Sequence, residues 1–207
     1  GIEKINFAGG EPTLCPWLYE MLSCAKQHGL TTSIVTNGSR LNHAWLERFA
    51  DVLDWIGLSI DSFSEEVNIQ SGRALGRKRP KAISKDDYIT LCESIHQFGY
   101  KLKLNTVVHS KNWQEDMTSS IKECNPKRWK VLQVLPVDGQ NDGGVGDYLI
   151  TDKEYDHFVR NHQHSLKRTS VEMVPEDNDK MRGSYLMVDP AGRFFDNVQG
   201  QHTYSNS

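Results

Sequence analysis

Ile5-Asn6-Phe7-Ala8-Gly9-Gly10-Glu11-Pro12 joins the end of a β-rich run to two glycines, one acid and a proline. Gly9 and Gly10 lack a Cβ, so the chain there can take positive φ and let a ligand lie against the main chain. Pro12 fixes its own φ and biases Glu11 toward an extended conformation. Glu11 and the nearby carbonyls are thereby aimed at one point beyond the strand. Such an edge suits a small cation, for instance the α-ammonium of an amino acid. A bare Gly-Gly is usually a plain turn. The strand–turn–helix context, with the acid and the proline, raises this one to a candidate ligand site.

A second chemistry lies in the strand patterns. Lys101, Lys103 and Asn105 alternate with Leu102, Leu104 and Thr106, which turns the first three to one face. Arg128 and Lys130 do the same around Trp129. If these strands line a barrel, Lys103, Asn105, Arg128 and Lys130 converge inside it. Buried lysines are costly unless an anion pairs with them, and a polyphosphate would serve. The alternatives are a solvated sheet face or pairs with local carboxylates; for either strand alone they weigh evenly, and both strands together point to an anion site. Arg73, in Ser71-Gly72-Arg73-Ala74-Leu75-Gly76, could close on the same anion as a bidentate clamp. Ser184 and Tyr185 offer hydroxyls to a base or ribose, although their stretch alone reads as a loop. The eight histidines form no H-x-x-H or H-E-x-x-H pattern, and no catalytic triad stands out. His162 and His164 are placed on a surface helix.

These residues are carried by alternating elements. Strands are expected at 4–7, 31–36, 55–59, 101–108 and 128–135. Helices are expected at 17–28, 44–51, 85–98 and 115–124, with Gly29 and Gly99 as stops. Five strands separated by helices make β-α-β units and a mostly parallel sheet with right-handed crossovers. The polar surprises, Gly9 to Pro12, Thr36-Asn37-Gly38-Ser39 and Ser59-Ile60-Asp61-Ser62, all follow strand C-termini, the edge where α/β folds bind ligands. After Leu135 the pattern changes: a glycine- and aspartate-rich loop at 138–147, a helix at 155–164, a short strand at 171–174 and a hairpin around Asp189-Pro190-Ala191-Gly192. The chain therefore divides into a core at 1–135 and an extension at 136–207 that covers the ligand site, within one structural domain.

At 207 residues the chain is long enough for one real core, and a net charge of −3 suggests no whole-molecule affinity for polymeric nucleic acid or anionic membrane. No apolar run approaches the ~20 residues that span a bilayer. Of the four cysteines, Cys24 and Cys92 read as small core residues in helical patterns. Cys15 stands at a possible helix start, where filler is the plainer reading than a reactive thiol. Their scatter gives no C-x₂-C metal site and fits a reducing, cytoplasmic compartment. The abrupt start at Gly1 and the end in Ser205-Asn206-Ser207 read as the bounds of a fragment.

Gly-Gly-Glu-Pro after one strand, Thr36-Asn37-Gly38-Ser39 after the next and Ser59-Ile60-Asp61-Ser62 after the third resemble the radical S-adenosylmethionine (SAM) enzymes, whose fold is a partial (β/α)6-type barrel. The finer match is to viperin and its microbial relatives. It is carried by Ile60-Asp61-Ser62-Phe63 with Glu65-Glu66-Val67-Asn68, Gly72-Arg73 with Gly76, Lys103-Leu104-Asn105-Thr106-Val107, Arg128-Trp129-Lys130-Val131, and Lys180-Met181 with Ser184-Tyr185-Leu186. It runs nearly end to end in the same order. The family's C-x₃-C-x₂-C cluster motif is absent and belongs upstream of Gly1, so the first β-α unit is missing and this chain has no metal ligands of its own; alone it is expected to be inactive.

The resemblance implies two cofactors, SAM and a [4Fe–4S] cluster fed by an electron donor. It implies a radical that takes the 4′ hydrogen of a nucleoside triphosphate (CTP, UTP or GTP). Loss of water then gives the 3′-deoxy-3′,4′-didehydro analogue, a chain terminator of viral RNA synthesis in antiviral defence. Gly9, Gly10 and Glu11 would receive the SAM amino group, Thr36 and Asn37 its carboxylate or ribose, and Ser59 and Asp61 the ribose side. Lys103, Arg128, Lys130 and Arg73 would hold the triphosphate, with Asn105 near the sugar and Ser184 and Tyr185 near the base. Two other readings stay open: a peptide-modifying radical SAM enzyme, against which the basic strands argue, and a non-catalytic nucleotide-binding module.

Overall fold

A computed structural model describes residues 1–74, 76, 80–136, 144–178, 186–196 and 203–204. Strand alternation sorts the side chains. Ile34, Ile56, Leu58, Leu102, Leu104 and Trp129 are fully buried and belong to one core cluster, so they share a face. The strands that carry them are β1 (Lys4–Phe7), β2 (Thr31–Thr36), β3 (Trp55–Ser59), β4 (Lys101–Val108) and β5 (Arg128–Gln133). With β6 (Glu172–Glu176) they form one six-stranded sheet in sequential order, every neighbouring pair parallel. Right-handed crossovers between strands in sequential order put every connecting helix on the same face. The opposite face carries polar residues, among them Lys103, Asn105, Arg128 and Lys130.

The connections hold α1 (Leu18–Gln27), α2 (His43–Phe49), α3 (Glu65–Gln70), α4 (Lys85–Gln97), α5 (Thr118–Cys124) and α6 (Asp152–Leu166). Asn42, Ser64, Ser84 and Thr151 cap the starts of α2, α3, α4 and α6, their side chains accepting from backbone N–H groups. Each cap is worth about 1 kcal/mol. Buried Trp129 donates from Nε1 to Thr106 Oγ1 at 2.9 Å, and Thr106 donates to the Ile60 carbonyl at 2.6 Å. That relay fixes the end of β3 to β4 and β5, and with it the loop carrying Asp61. A separate antiparallel sheet holds β7 (Met187–Val188), β8 (Phe194–Asp196) and β9 (Thr203–Tyr204). Its β7–β8 turn is the expected hairpin, closed by Asp189 Oδ1 accepting from the Ala191 and Arg193 amides at 2.9 Å.

Several expectations are corrected. The main sheet has six strands rather than five, because residues read as part of the extension pair with β5, Lys130 opposite Val174. Cys24 is exposed, since the buried stripe of α1 is Leu18, Leu22 and Ala25 and position 24 falls off it. His162 is buried, one turn beyond Phe158 on the inward stripe of α6. Its Nε2 accepts from the Met117 amide at 3.0 Å and its Nδ1 donates to the Phe158 carbonyl at 2.8 Å. α5 starts at Thr118 rather than Glu115. Glu115 instead accepts from Ser62 Oγ at 2.5 Å and the Phe63 amide at 2.9 Å.

Candidate active site

β1 ends at Phe7, and the chain then turns through Gly9 (φ 94°) and Gly10 (φ 56°). L side chains rarely adopt such values. A Cβ on either would meet nothing within 4 Å, so the backbone and not crowding demands glycine, and the space above the turn is open. Glu11 follows. Its Oε1 accepts from Thr13 N (3.2 Å), Thr13 Oγ1 (2.6 Å) and Thr36 Oγ1 (2.6 Å), and its Oε2 accepts from Asn37 N (2.9 Å). One carboxylate thus ties the turn after β1 to the end of β2. Burial pushes its pKa up, but the hydrogen bonds from Thr13, Thr36 and Asn37 outweigh that and hold it below the usual carboxylate range. Glu11 is therefore an anion, and Oε2, with a single bond, keeps capacity for a cationic donor.

Asn37 lines an open cleft together with Gly72, Arg73, Ala74, Ile83 and Tyr88. Ser59 closes β3 on the polar face, in register with Asn105. Beyond it, buried Asp61 accepts from Val107 N at 2.9 Å through Oδ1. Its Oδ2 takes Arg73 Nε at 2.8 Å and Nη2 at 2.6 Å. The guanidinium expected to clamp the anion beside Lys103 binds Asp61 here, at the C-terminal edge.

The register confirms the convergence read from alternation. Gly57, Lys103, Arg128 and Glu172 stand side by side across β3 to β6, and Ser59, Asn105, Lys130 and Val174 form the next rank on the same face. Arg128 donates to Glu172 at 3.0 and 2.9 Å, and Lys130 is paired with Glu176. Local carboxylates therefore hold two of the expected anion ligands. Lys103 differs: it is 9% exposed, and no carboxylate among the described residues pairs with it. Burial, then the charges of Lys4, Lys130 and Arg128, bring its pKa down to about 8, with Glu176 acting the other way. Lys4 joins this group although the sequence reading passed over it. Its signal was the alternation Lys4, Ile5, Asn6, Phe7, which turns Lys4 to the polar face. Ser184 and Tyr185 lie outside the described residues.

The family model described as the Radical SAM superfamily matches residues 1–123. A relative from Lacinutrix mariniflava, named S-adenosylmethionine-dependent nucleotide dehydratase, is 53% identical over 99% of this chain and 42% of its own length. One of the same name from Flammeovirga pacifica is 44% identical over 100% of this chain and 68% of its own. The chain belongs to the radical SAM superfamily, in the family of S-adenosylmethionine-dependent nucleotide dehydratases. It spans about two fifths to two thirds of the length of these relatives. The solved structure "Native anSMEcpe with bound AdoMet" superposes with a TM-score of 0.68 at 17% identity, covering 92% of this chain and 58% of that one, which shows a shared fold.

Radical SAM proteins use SAM and a [4Fe–4S] cluster. Among the described residues no group of three His, Cys, Asp or Glu side chains is placed to hold a metal ion. Cys15 is half-buried, Cys24 exposed, and Cys92 and Cys124 buried in α4 and α5. These four thiols do not fit the cluster. The edge at Gly9, Gly10 and Glu11 does fit SAM: an anionic carboxylate with spare acceptor capacity beside an open, side-chain-free turn is the acceptor an ammonium needs.

Proposed function

We propose that this chain carries the SAM and nucleotide sites of a viperin-like enzyme that converts a nucleoside triphosphate to its 3′-deoxy-3′,4′-didehydro analogue with loss of water, a chain terminator in antiviral defence. The observation that carries the reading is Lys103, buried and without a carboxylate partner among the described residues, below the strand edge that holds Glu11. Such a cation is stabilised by a polyanion entering the sheet's polar face. Glu11, with the turn at Gly9 and Gly10, holds the SAM ammonium; Thr36 and Asn37 take its carboxylate or ribose, and Ser59 and Asp61 the ribose side. Bound there, SAM supplies the one-electron chemistry that starts the dehydration. Lys103 binds the phosphates with Lys4, Arg128 and Lys130. Glu172 and Glu176 hold Arg128 and Lys130 until the anion competes for them. Asn105 sits one rank nearer the edge, beside the sugar, and Arg73, fixed on Asp61, closes the cleft lined by Asn37.

Residues 1–135 form the core together with α6 and β6, and the rest of 136–207 covers the nucleotide, with Ser184 and Tyr185 reading the base. The enzyme works in the cytoplasm with an electron donor and takes a free nucleotide rather than polymeric nucleic acid. No helix among the described residues is long and apolar enough to cross a membrane. The test is anaerobic turnover of the protein expressed from its whole reading frame, with SAM, a reductant and each nucleoside triphosphate in turn. Mass spectrometry should find a nucleotide lighter by one water, formed together with 5′-deoxyadenosine. SAM cleavage that ignores every nucleotide and answers only to a peptide would refute the reading.

A further inference from the structure

Trp55 opens β3 on the polar face, and four cations gather on its indole. Lys4 Nζ lies 4.7 Å from the ring centroid, Lys101 Nζ 5.7 Å, Lys127 Nζ 5.9 Å and the Arg128 guanidinium carbon 6.0 Å. All stand at the N-terminal end of the sheet: Lys4, Trp55, Lys101 and Arg128 begin β1, β3, β4 and β5, and Lys127 directly precedes β5. This is the end opposite the Gly-Gly-Glu-Pro turn.

Cation–π attraction fixes these side chains but does not neutralise them. Of the carboxylates at this end, Glu172 is committed to Arg128, and Asp54 to Lys26 and the Thr32 amide. Lys4, Lys101 and Lys127 have no ion pair among the described residues. In a chain whose net charge is −3, like charges gathered on one ring repel and mark a place that an anion would stabilise.

We infer that the cations around Trp55 form an outer anion station, which takes the terminal phosphates of a polyphosphate ligand and continues the Lys103 site toward the N-terminal opening of the sheet. Distances along β4 fit this. Asn105, Lys103 and Lys101 are successive residues on one face, each step about 7 Å. A triphosphate whose sugar sits beside Ser59 and Asn105 runs past Lys103 toward Lys101 and Lys127. The Trp55 ring holds the lysine ammonium groups near it, so less side-chain freedom is lost when the anion arrives. The identity of the ligand as a nucleotide rests on the proposed function; the anion chemistry does not, because inorganic tripolyphosphate presents the same charge.

The test uses Lys101→Met/Lys127→Met in the protein expressed from its whole reading frame. Both side chains are exposed, so the variant keeps its fold. Calorimetry measures inorganic tripolyphosphate, a nucleoside triphosphate and the matching monophosphate. Tripolyphosphate and triphosphate affinities should fall about 10-fold, and the monophosphate less than about 2-fold. Tripolyphosphate should also change the tryptophan fluorescence of the wild type, and that change should vanish in Trp55→Leu. Unchanged tripolyphosphate affinity in the double variant, or equal losses for mono- and triphosphate, would overturn the inference. If the wild type binds tripolyphosphate through these lysines but no nucleoside triphosphate, the station stands and the nucleotide reading falls.

Discussion

A Cβ placed on Gly57 would lie 2.8 Å from Cε of Lys103, its register partner on β4. The same atom would come within 3.1 Å of the Ile34 carbonyl oxygen and 3.3 Å of Asn105 Nδ2. Lys103 therefore lies across a strip of bare backbone on β3. This glycine provides room, since its φ is not positive.

Gly57→Ala should fold, because the closest contact is the far end of a flexible side chain and the Ile34 carbonyl need yield only slightly. Overpacking of this kind costs about 1–3 kcal/mol. The displaced ammonium should weaken triphosphate binding about 10-fold while SAM binding changes less than about 2-fold. Calorimetry with both ligands decides it. Unchanged triphosphate affinity would remove Lys103 from the phosphate site.

Lys103 should leave a signature in pH. Its folded pKa of about 8 lies below the ordinary 10.5. Between those values the unfolded chain holds the proton and the folded chain does not, so ligand-free stability rises with pH across that window. Lys103→Met should abolish this rise, worth at most about 3 kcal/mol, and should stabilise the ligand-free protein at neutral pH. Denaturant unfolding of both proteins between those two pH values is the measurement. In the same window triphosphate binding should draw a proton onto Lys103, seen as a heat that depends on the buffer's ionisation enthalpy.

Glu11→Gln replaces an acceptor of four hydrogen bonds with an amide whose NH₂ cannot accept. About 1–2 kcal/mol of stability should be lost together with the tie between the β1 and β2 loops, and SAM affinity should fall about 10-fold. The folded pKa of Glu11 is depressed, so its contribution is present above the unfolded value and disappears as pH falls through the folded one. The stability gap between wild type and variant should therefore close in acid. A gap that persists at low pH would show that the carboxylate's charge is not what ties the loops.

Asp61 and Arg73 should couple. A double-mutant cycle of Asp61→Asn and Arg73→Met is expected to give an interaction of about 1–3 kcal/mol in stability, less than a fully buried pair, because the Arg73 side chain is 31% exposed. Asn at position 61 still offers Oδ1 to the Val107 amide, which confines the effect to the ion pair. Additive single effects would show that Arg73 is free to meet the ligand's phosphates.

Much of the fold was legible locally. The strands announced themselves by alternation, and the turns by Gly29, Gly99 and the Asp189 hairpin, because these depend on backbone preference and period alone. The parallel order followed from the β-α rhythm. Short strands were harder: residues 172–176 gave too little pattern to show whether they would join the main sheet, and only pairing with β5 decided it. His162 was misplaced because a polar residue on an apolar stripe reads as surface until its buried partners, the Met117 amide and the Phe158 carbonyl, are seen.

The sequence by itself determined that Lys103 and Asn105 share one face of their strand, and Arg128 and Lys130 one face of theirs, because a strand's period of two admits no other arrangement. The register of β4 with β5 then set the two pairs side by side. The sequence also determined that Gly9 and Gly10 make a turn open to a ligand, and the family motifs that identify the chain. Which cation keeps a free charge was settled only in three dimensions. Glu172 and Glu176 lie 44 and 46 residues beyond Arg128 and Lys130, yet parallel pairing of β5 with β6 sets them alongside as partners. Arg73 likewise turned to Asp61, twelve residues earlier, because the loop after β3 folds back over the sheet edge. Electrostatic pairing depends on distances of a few ångströms between residues far apart in sequence, and no local pattern encodes those distances.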